Sequence, residues 1–381
     1  MEDLFLEEQH IAIRNAAREF AKKEIQPKAK EIDETGRFPT ELVKELGNMG
    51  FMGMYVPEEY GGAGLDTLSY ILALEEVCAG CASTGVIMSV NNSLVCSPLL
   101  KFGSEEQKKK YLVPLAQGKK LGCFALSEPG NGSDAAALRT TAKKDGDFYI
   151  LNGTKNFITN GKEAETCILF ATMDPAKGHK GVSAFIVERG FAGYSVGKLE
   201  DKLGITGSST AQLHLDNVKV PAANLLGKEG EGFKIAMNTL DGGRIGIAAQ
   251  ALGIAVAALE AAKNFVRERQ AFGNPIAKLQ GIQWTVADMS TRLHAAKLLT
   301  YRAARKRDTG ERYTQEAAMA KLYASEMCMW LTTKAIQLHG GYGYCKEYPV
   351  ERHFRDAKIT EIYEGTSEIQ RIVIGSIELS D

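Results

Sequence analysis

Neither sign of charge prevails in this 381-residue chain: 46 Lys and Arg stand against 47 Asp and Glu, a formal net charge of −1. Binding of nucleic acid or another polyanion through bulk charge is thereby excluded, while a local cationic site is not. Cysteine is sparse and scattered, seven residues at 78, 81, 96, 123, 167, 328 and 345. An odd, dispersed set fits a reducing compartment better than a disulfide framework. Cys78 and Cys81 form one C-x-x-C inside a helical pattern and are expected to be buried and redox-inert. The six histidines form no H-x-x-x-H pair, so no metal site is expected. No G-x-G-x-x-G follows a strand and no G-x-x-x-x-G-K-S/T occurs, which removes support for nicotinamide-type Rossmann binding and for P-loop chemistry. No run of about 18 apolar residues is present, so no membrane span is expected. Met1–His10 is acidic and amphipathic, without the charged-then-apolar order of a signal peptide, and a cytoplasmic, bacterial-type location is expected.

What the sequence does hold is core-forming material. Hydrophobic residues make up 44% and charged residues 24%, which allows a sizeable core without staples. The length implies two or three domains. Ile13, Ala17 and Phe20, and again Leu42, Leu46 and Met49, recur at helical spacing. After Pro57, Gly61, Gly62 and Gly64 another apolar helix is expected from about Leu68 to Cys78. From about 122 the texture becomes strand-like: Phe148–Leu151, Thr166–Thr172, Val182–Val187 and Ala211–Val220, the last alternating with one slip at Asn217. Asn152-Gly153 between apolar runs predicts a hairpin turn. No helical pattern separates these strands, which favours an antiparallel sheet or barrel over a βαβ layout. Helices return from 231: Leu252, Val256, Leu259, Ala262 and Val266 mark one long helix, and a second runs from about Gln315 to His339, ending at Gly340-Gly341. Ser367-x-x-Gln370 reads as a capping box opening a last helix. The expected fold is α+β: a helical domain over 1–121, a β domain over 122–230 and a helical domain over 231–381.

Three stretches carry possible chemistry. The turn-rich Leu126–Asp134 segment sits at the helix-to-sheet boundary, where glycines let backbone N–H groups approach a ligand; a plain surface loop is the alternative. Arg267 and Arg269 follow the long helix and could hold a phosphate, although a solvated Arg has the same signature. Glu364 lies between Ile362-Tyr363 and Gly365, just before a capped helix. A carboxylate in an apolar pocket has a raised pKa and can act as a base. A helix-terminal Glu favoured by the dipole reads equally well.

Taken together, the chain resembles the acyl-CoA dehydrogenase family over nearly its whole length. The resemblance rests on CFALSEPGNGSD at Cys123–Asp134, LNGTKNFITN at Leu151–Asn160, DKLGITGSST at Asp201–Thr210, TLDGGRIGIAAQALG at Thr239–Gly253, RQAFG at Arg269–Gly273, QLHGGYGY at Gln337–Tyr344 and DAKITEIYEGTSEIQ at Asp356–Gln370. Thr84–Leu94 and Cys123–Asp134 look most like the short-chain, butyryl-CoA type.

The resemblance implies an N-terminal helical domain, a middle antiparallel β-barrel, a C-terminal four-helix bundle, and a homotetramer built as a dimer of dimers. It implies FAD as cofactor, an acyl-CoA oxidised at Cα–Cβ to the trans-2-enoyl thioester, and electron-transfer flavoprotein as the electron acceptor. Glu364 matches the base that takes the α-proton while the β-hydrogen leaves as hydride to flavin N5. Phe124, Ala125, Leu126, Ser127, Gly132 and Ser133, with Phe157, Ile158 and Thr159, match flavin-lining segments. Arg269 and Gln280 match contacts to FAD from the neighbouring subunit. Gln337, Leu338, His339, Gly340 and Gly341 match a further cofactor stretch, His339 through its backbone, and Thr366, Ser367 and Glu368 sit where the chain returns to FAD. Ser133, Asp241, Gly242, Gly243, Arg244, Tyr363 and Gly365 match substrate contacts. Isovaleryl and long-chain branches carry their base where this chain has Gly243, and glutaryl-CoA dehydrogenases carry an Arg where it has Gly85. The resemblance thus implies a short, uncharged acyl group. A specialised alicyclic or caffeyl-type dehydrogenase or enoyl-CoA reductase, an oxygen-using oxidase and a non-catalytic flavin electron-transfer subunit are the alternatives.

Overall fold

The computed structural model describes residues 6–380, so the reading of Met1–His10 is tested only from Leu6 onward. The N-terminal third is helical: α1 (Glu8–Phe20), α2 (Ala29–Thr35), α3 (Thr40–Asn48), α4 (Thr67–Gly80), α5 (Ala82–Ser89), α6 (Ser97–Phe102), α7 (Glu105–Gln107) and α8 (Val113–Ala116). α4 starts where the Asp66 carboxylate accepts the Ser69 N–H at 2.7 Å, which satisfies one orphan donor of the first turn. α4 and α5 are buried on nearly all faces, as apolar helices at the centre of a molecule must be. Cys78 and Cys81 lie in this core as free thiols whose pKa values burial pushes up.

The middle segment is a sheet of β1 (Gly122–Ala125), β2 (Thr141–Asp145), β3 (Phe148–Thr159), β4 (Thr166–Thr172), β5 (Val182–Glu188), β6 (Tyr194–Leu199), β7 (Thr210–Pro221) and β8 (Leu225–Leu226). The strand order is β6-β7-β3-β2-β4-β5-β8, with β1 beside β4. Two features correct the expected antiparallel barrel. β1–β4 and β2–β4 pair parallel. The strand path also has two ends, β6 and β8, with no pairing that closes it among the described residues.

Asn152-Gly153 is not the hairpin turn either. Both residues lie inside β3, at a register shift against β7, and Asn217 stands opposite at φ 50°. The two asparagines bridge the irregularity, Asn152 Oδ1 accepting the Asn217 N–H at 2.8 Å. Asn-Gly therefore marks a bulge, where the backbone passes so close to Thr140 that a Cβ on Gly153 would fall 2.5 Å from its Oγ1. The true turn is Gly146-Asp147, between the paired Asp145 and Phe148, with Gly146 at φ 57°.

The C-terminal part consists of α9 (Gly232–Glu268), a short β9–β10 ribbon (Gln270–Ala271 with Asn274–Pro275), α10 (Gln280–Asp308), α11 (Thr314–His339), α12 (Val350–Ile359) and α13 (Ser367–Glu378). The three long helices pack on one another, α12 and α13 pack against α11, and α4 lies along α9. One core cluster therefore unites the N- and C-terminal helices, and a second fills the sheet. α9 is long and apolar enough to cross a membrane, but most of it is buried in this helical core. Its packing is close: a Cβ at Gly253 would overlap Glu75 O, and one at Gly246 would sit 2.8 Å from Ser89 Oγ. The last helix is capped one residue earlier than the spacing predicts. Thr366, not Ser367, accepts the Ile369 N–H, and Gln370 turns inward instead of completing the box.

Candidate active site

Glu364 sits in the turn between α12 and α13 with φ at 54°, a left-handed conformation that costs a non-glycine residue energy. Gly365 follows at φ 95°. Gln370 Nε2 holds this turn from below by donating to Gly365 O at 2.9 Å and Glu364 O at 3.3 Å, and Lys321 Nζ donates to Gly365 O at 2.7 Å. The Glu364 N–H meets no acceptor among the described residues. Its carboxylate oxygen Oε2 is sealed from solvent, also without a partner. Burial pushes the Glu364 carboxyl up to about 7, against the lowering pull of Lys321 and Arg244. A strained, desolvated carboxylate with an open oxygen is a candidate general base.

The opposite wall is α9. A Cβ at Gly243 would overlap Glu364 Oε2 and lie 2.8 Å from Leu94 Cδ2, so the missing side chain is what leaves room for the carboxylate. Two residues earlier on α9, Asp241 accepts from Arg244 Nη1 and from Thr314 Oγ1, both at 2.7 Å. Burial raises the Asp241 carboxyl, and Arg244 opposes it. Arg244 is 5% exposed, and its Nε is sealed without an acceptor. Tyr363 OH donates to Gln250 Oε1, and Gly242 faces Arg307, whose Nη1 a Cβ there would approach to 3.3 Å.

The sheet supplies a second surface. Pro129, Gly130, Gly132 and Ser133 are exposed, and neither glycine would carry a Cβ within 4 Å of anything. Phe157 stands at φ 57°, 62% exposed, at the bulge that ends β3, with Thr159 half-buried beyond it. A strained, bare aromatic beside an open glycine loop is a platform for a planar ligand, and these residues fit the expected flavin. Not every expected side chain can take part. Ala125, Leu126, Ile158, Leu338 and His339 are buried, so only their backbone is free to face a ligand. His339 stacks on Phe265 at 4.3 Å and gives its Nδ1 to Ala335 O at 2.8 Å. Ser367 is buried with its Oγ unpartnered, while Thr366 spends its hydroxyl on the helix cap. Glu368 is exposed.

The remaining expected residues gather elsewhere. Arg269 ends α9 roughly 39 Å along its axis from Gly243, at about 1.5 Å per residue. There its guanidinium lies over the Tyr342 ring, 5.3 Å from the centroid, beside exposed Gly340 and Gly341. Gln280 and Gln337 are exposed. A cleft of about 630 Å³ lined by Phe265, His339 and Tyr348 adjoins this end and is separate from the Glu364 slot.

Sequence reasoning missed Lys321 and Lys155, gave Gln370 a capping role it does not have, and named Glu128 only as part of the Leu126–Asp134 loop. Lys321, Gln370 and Lys155 are each fully buried, on α11, α13 and β3.

Three domain profiles match the chain: acyl-CoA dehydrogenase N-terminal domain over residues 7–119, middle domain over 123–218 and C-terminal domain over 230–378. The chain is 54% identical over 372 residues to the short-chain specific acyl-CoA dehydrogenase of Clostridium acetobutylicum, with 98% of each covered. It superposes on the butyryl-CoA dehydrogenase of Megasphaera elsdenii with a TM-score of 0.97 and 49% identity, covering 98% of this chain and 99% of that one. A chain of the structure reported for the electron transferring flavoprotein of Acidaminococcus fermentans matches with a TM-score of 0.98 and 52% identity, with 99% of each covered.

Proposed function

The chain belongs to the acyl-CoA dehydrogenase family, and from that membership we propose that it converts a short-chain acyl-CoA to the trans-2-enoyl thioester and passes the electrons to an electron-transfer flavoprotein. The observation that carries this reading is Glu364: strained, desolvated, titrating near neutrality, and given its space by Gly243. The Leu126–Ser133 loop and the Phe157–Thr159 end of β3 would hold FAD, which when bound would supply the acceptor for the β-hydride. Glu364 Oε2 removes the α-proton. The Glu364 N–H donates to the thioester carbonyl oxygen as negative charge develops there, which makes the α-hydrogen removable. Arg244 and Asp241 bind and orient the CoA arm, with Ser133 on the opposite bank. Glu364 would thus take the proton from one face of the acyl group and leave the other face to the bound cofactor, as two transfers on opposite faces require. The subunits assemble as a homotetramer in which Arg269 and Gln280 reach the FAD of a neighbour.

Gly85 restricts the acyl group. A Cβ there would overlap Cys78 Sγ, so this wall has no room for a cation to receive a distal carboxylate. A dicarboxyl thioester would leave its second charge buried and unpaired. The experiment is anaerobic bleaching of the FAD-loaded protein by butyryl-, hexanoyl-, octanoyl- and glutaryl-CoA. Butyryl-CoA is expected to reduce the flavin fastest. A colourless protein that takes up no FAD, or faster reduction by glutaryl-CoA, overturns the reading.

Two further expectations follow from the site. Lys321 lowers the Glu364 pKa, so Lys321→Met should move the acid limb of the kcat–pH profile to higher pH, the active base being the ionised form; an unmoved limb would show that Lys321 only braces the turn. Arg269→Ala should remove charge-assisted hydrogen bonds worth about 1.5–3 kcal/mol, weakening FAD binding roughly 10- to 100-fold and loosening the oligomer. Wild-type FAD affinity by ultrafiltration would make Arg269 a solvated charge.

A further inference from the structure

Behind the two flavin-lining segments lies an ion pair sealed from water. Lys155, on β3, and Glu128, in the Leu126–Ser133 loop, meet at 2.8 Å with side chains 0% and 5% exposed. The pair does more than cancel charge. Lys155 Nζ also donates to Leu126 O at 3.1 Å, so it grips the loop on both sides of Ser127. The Ser127 carbonyl accepts the Asn156 N–H at 3.0 Å. Glu128 in turn accepts the Arg139 N–H at 2.6 Å and the Thr140 N–H at 2.9 Å, which ties the loop to the residues just before β2. Desolvation pushes the Glu128 carboxyl up, but Lys155 and these N–H groups outweigh it and hold the pKa below the ordinary range. Two residues beyond Lys155 stands Phe157, left-handed and exposed, with little packing of its own to fix it.

A buried ion pair is a poor source of stability, because the cost of removing two charges from water offsets most of their attraction; apolar replacements are often neutral or stabilising. Its value here is directional: a hydrophobic contact slides, whereas the pair's four hydrogen bonds in fixed geometry do not. We propose that Lys155 and Glu128 are positioning residues that lock the Leu126–Ser133 loop to the Phe157–Thr159 end of β3, setting the spacing of the two walls that receive the flavin ring. The proposal rests on the flavin reading above. Neither residue touches the reacting atoms. Their work is to keep Ser127 and Thr159 within reach of one planar ring, where an error of about 1 Å costs on the order of 10²-fold in rate.

The test is the neutral pair Lys155→Met/Glu128→Gln, which keeps shape and removes both charges. The variant should keep the wild-type circular dichroism and a thermal midpoint within a few degrees of wild type, since the ion pair adds little net stability. Deflavinated variant should rebind FAD about 10-fold more weakly, and butyryl-CoA should reduce its flavin about 10²-fold more slowly than in wild type. Hydrogen exchange should rise in the 126–133 loop, at 155–159 and at the Arg139 and Thr140 amides, and not elsewhere in the sheet. Wild-type FAD affinity, reduction rate and exchange overturn the proposal. Should the double variant fail to fold, Glu128→Asp, which keeps both charges and shortens the carboxylate's reach, is measured the same way. It should shift each quantity in the same direction by less, and wild-type values there overturn the proposal equally. Wild-type protein that neither binds FAD nor bleaches with butyryl-CoA would instead defeat the underlying functional reading.

Discussion

Glu364→Gln should give a folded, FAD-binding protein that still takes up butyryl-CoA but no longer bleaches rapidly. Gln fills the same space and keeps the backbone N–H that polarises the thioester, yet cannot accept the α-proton. Turnover should therefore fall by at least the ~10²–10⁴ that a positioned base supplies. Asp keeps the charge and loses reach, so its activity should lie between. The variant should differ in stability as well. The folded-state pKa of Glu364 is raised from 4.5 to about 7, so the native state holds a proton through that window that the unfolded chain has released. Wild type consequently loses stability as pH rises from about 4.5 through 7. Glu364→Gln escapes that loss and should melt higher than wild type at pH 8, with the difference vanishing toward pH 4. Stopped-flow reduction and melting curves at both pH values decide the matter. Fast reduction in the Gln variant would mean that another residue takes the proton.

Gly243→Ala is expected to be nearly as damaging, although it adds one methyl group to a residue with no chemistry. The new Cβ would overlap Glu364 Oε2 and crowd Leu94. α9 cannot yield, because Gly246 and Gly253 already hold it against α4 and α5. The base loop must move instead, and a displacement of about 1 Å costs on the order of 10²-fold. The loss should appear in the rate of flavin reduction, with FAD content unchanged. Wild-type reduction by Gly243→Ala would show that the slot has slack. A side chain at 243 would point into the space that Glu364 fills here.

The order of helical, β and helical domains was legible because hydrophobic period changes visibly at about 122 and again near 231, and both periods are enforced by burial on the faces they mark. The strand connections were less so. Asn152-Gly153 carries the chemistry of a turn, but the same tolerance of unusual backbone serves a bulge, and the choice is made by Asn217, far away on β7. Glu364 could be singled out locally, whereas its tuning could not. Lys321 reaches it from α11 and Arg244 from α9, and no local pattern reports which residues of separate helices converge. The Ser367-x-x-Gln370 spacing met the capping rule by coincidence, since Gln370 is needed one turn back to hold Gly365.

The glycines of α9 bear on how the chain is made. Glycine costs a helix interior about 1 kcal/mol relative to alanine, and Gly242, Gly243, Gly246 and Gly253 fall within four turns. Left to itself this stretch is a weak helix, and its helicity comes from the surface it meets. That surface is α4 and α5, which leave the ribosome first. The N-terminal helices thus act as a template on which a late, glycine-weakened rod is moulded. The Glu364 slot, which needs both, therefore closes only once α9 has seated on that surface.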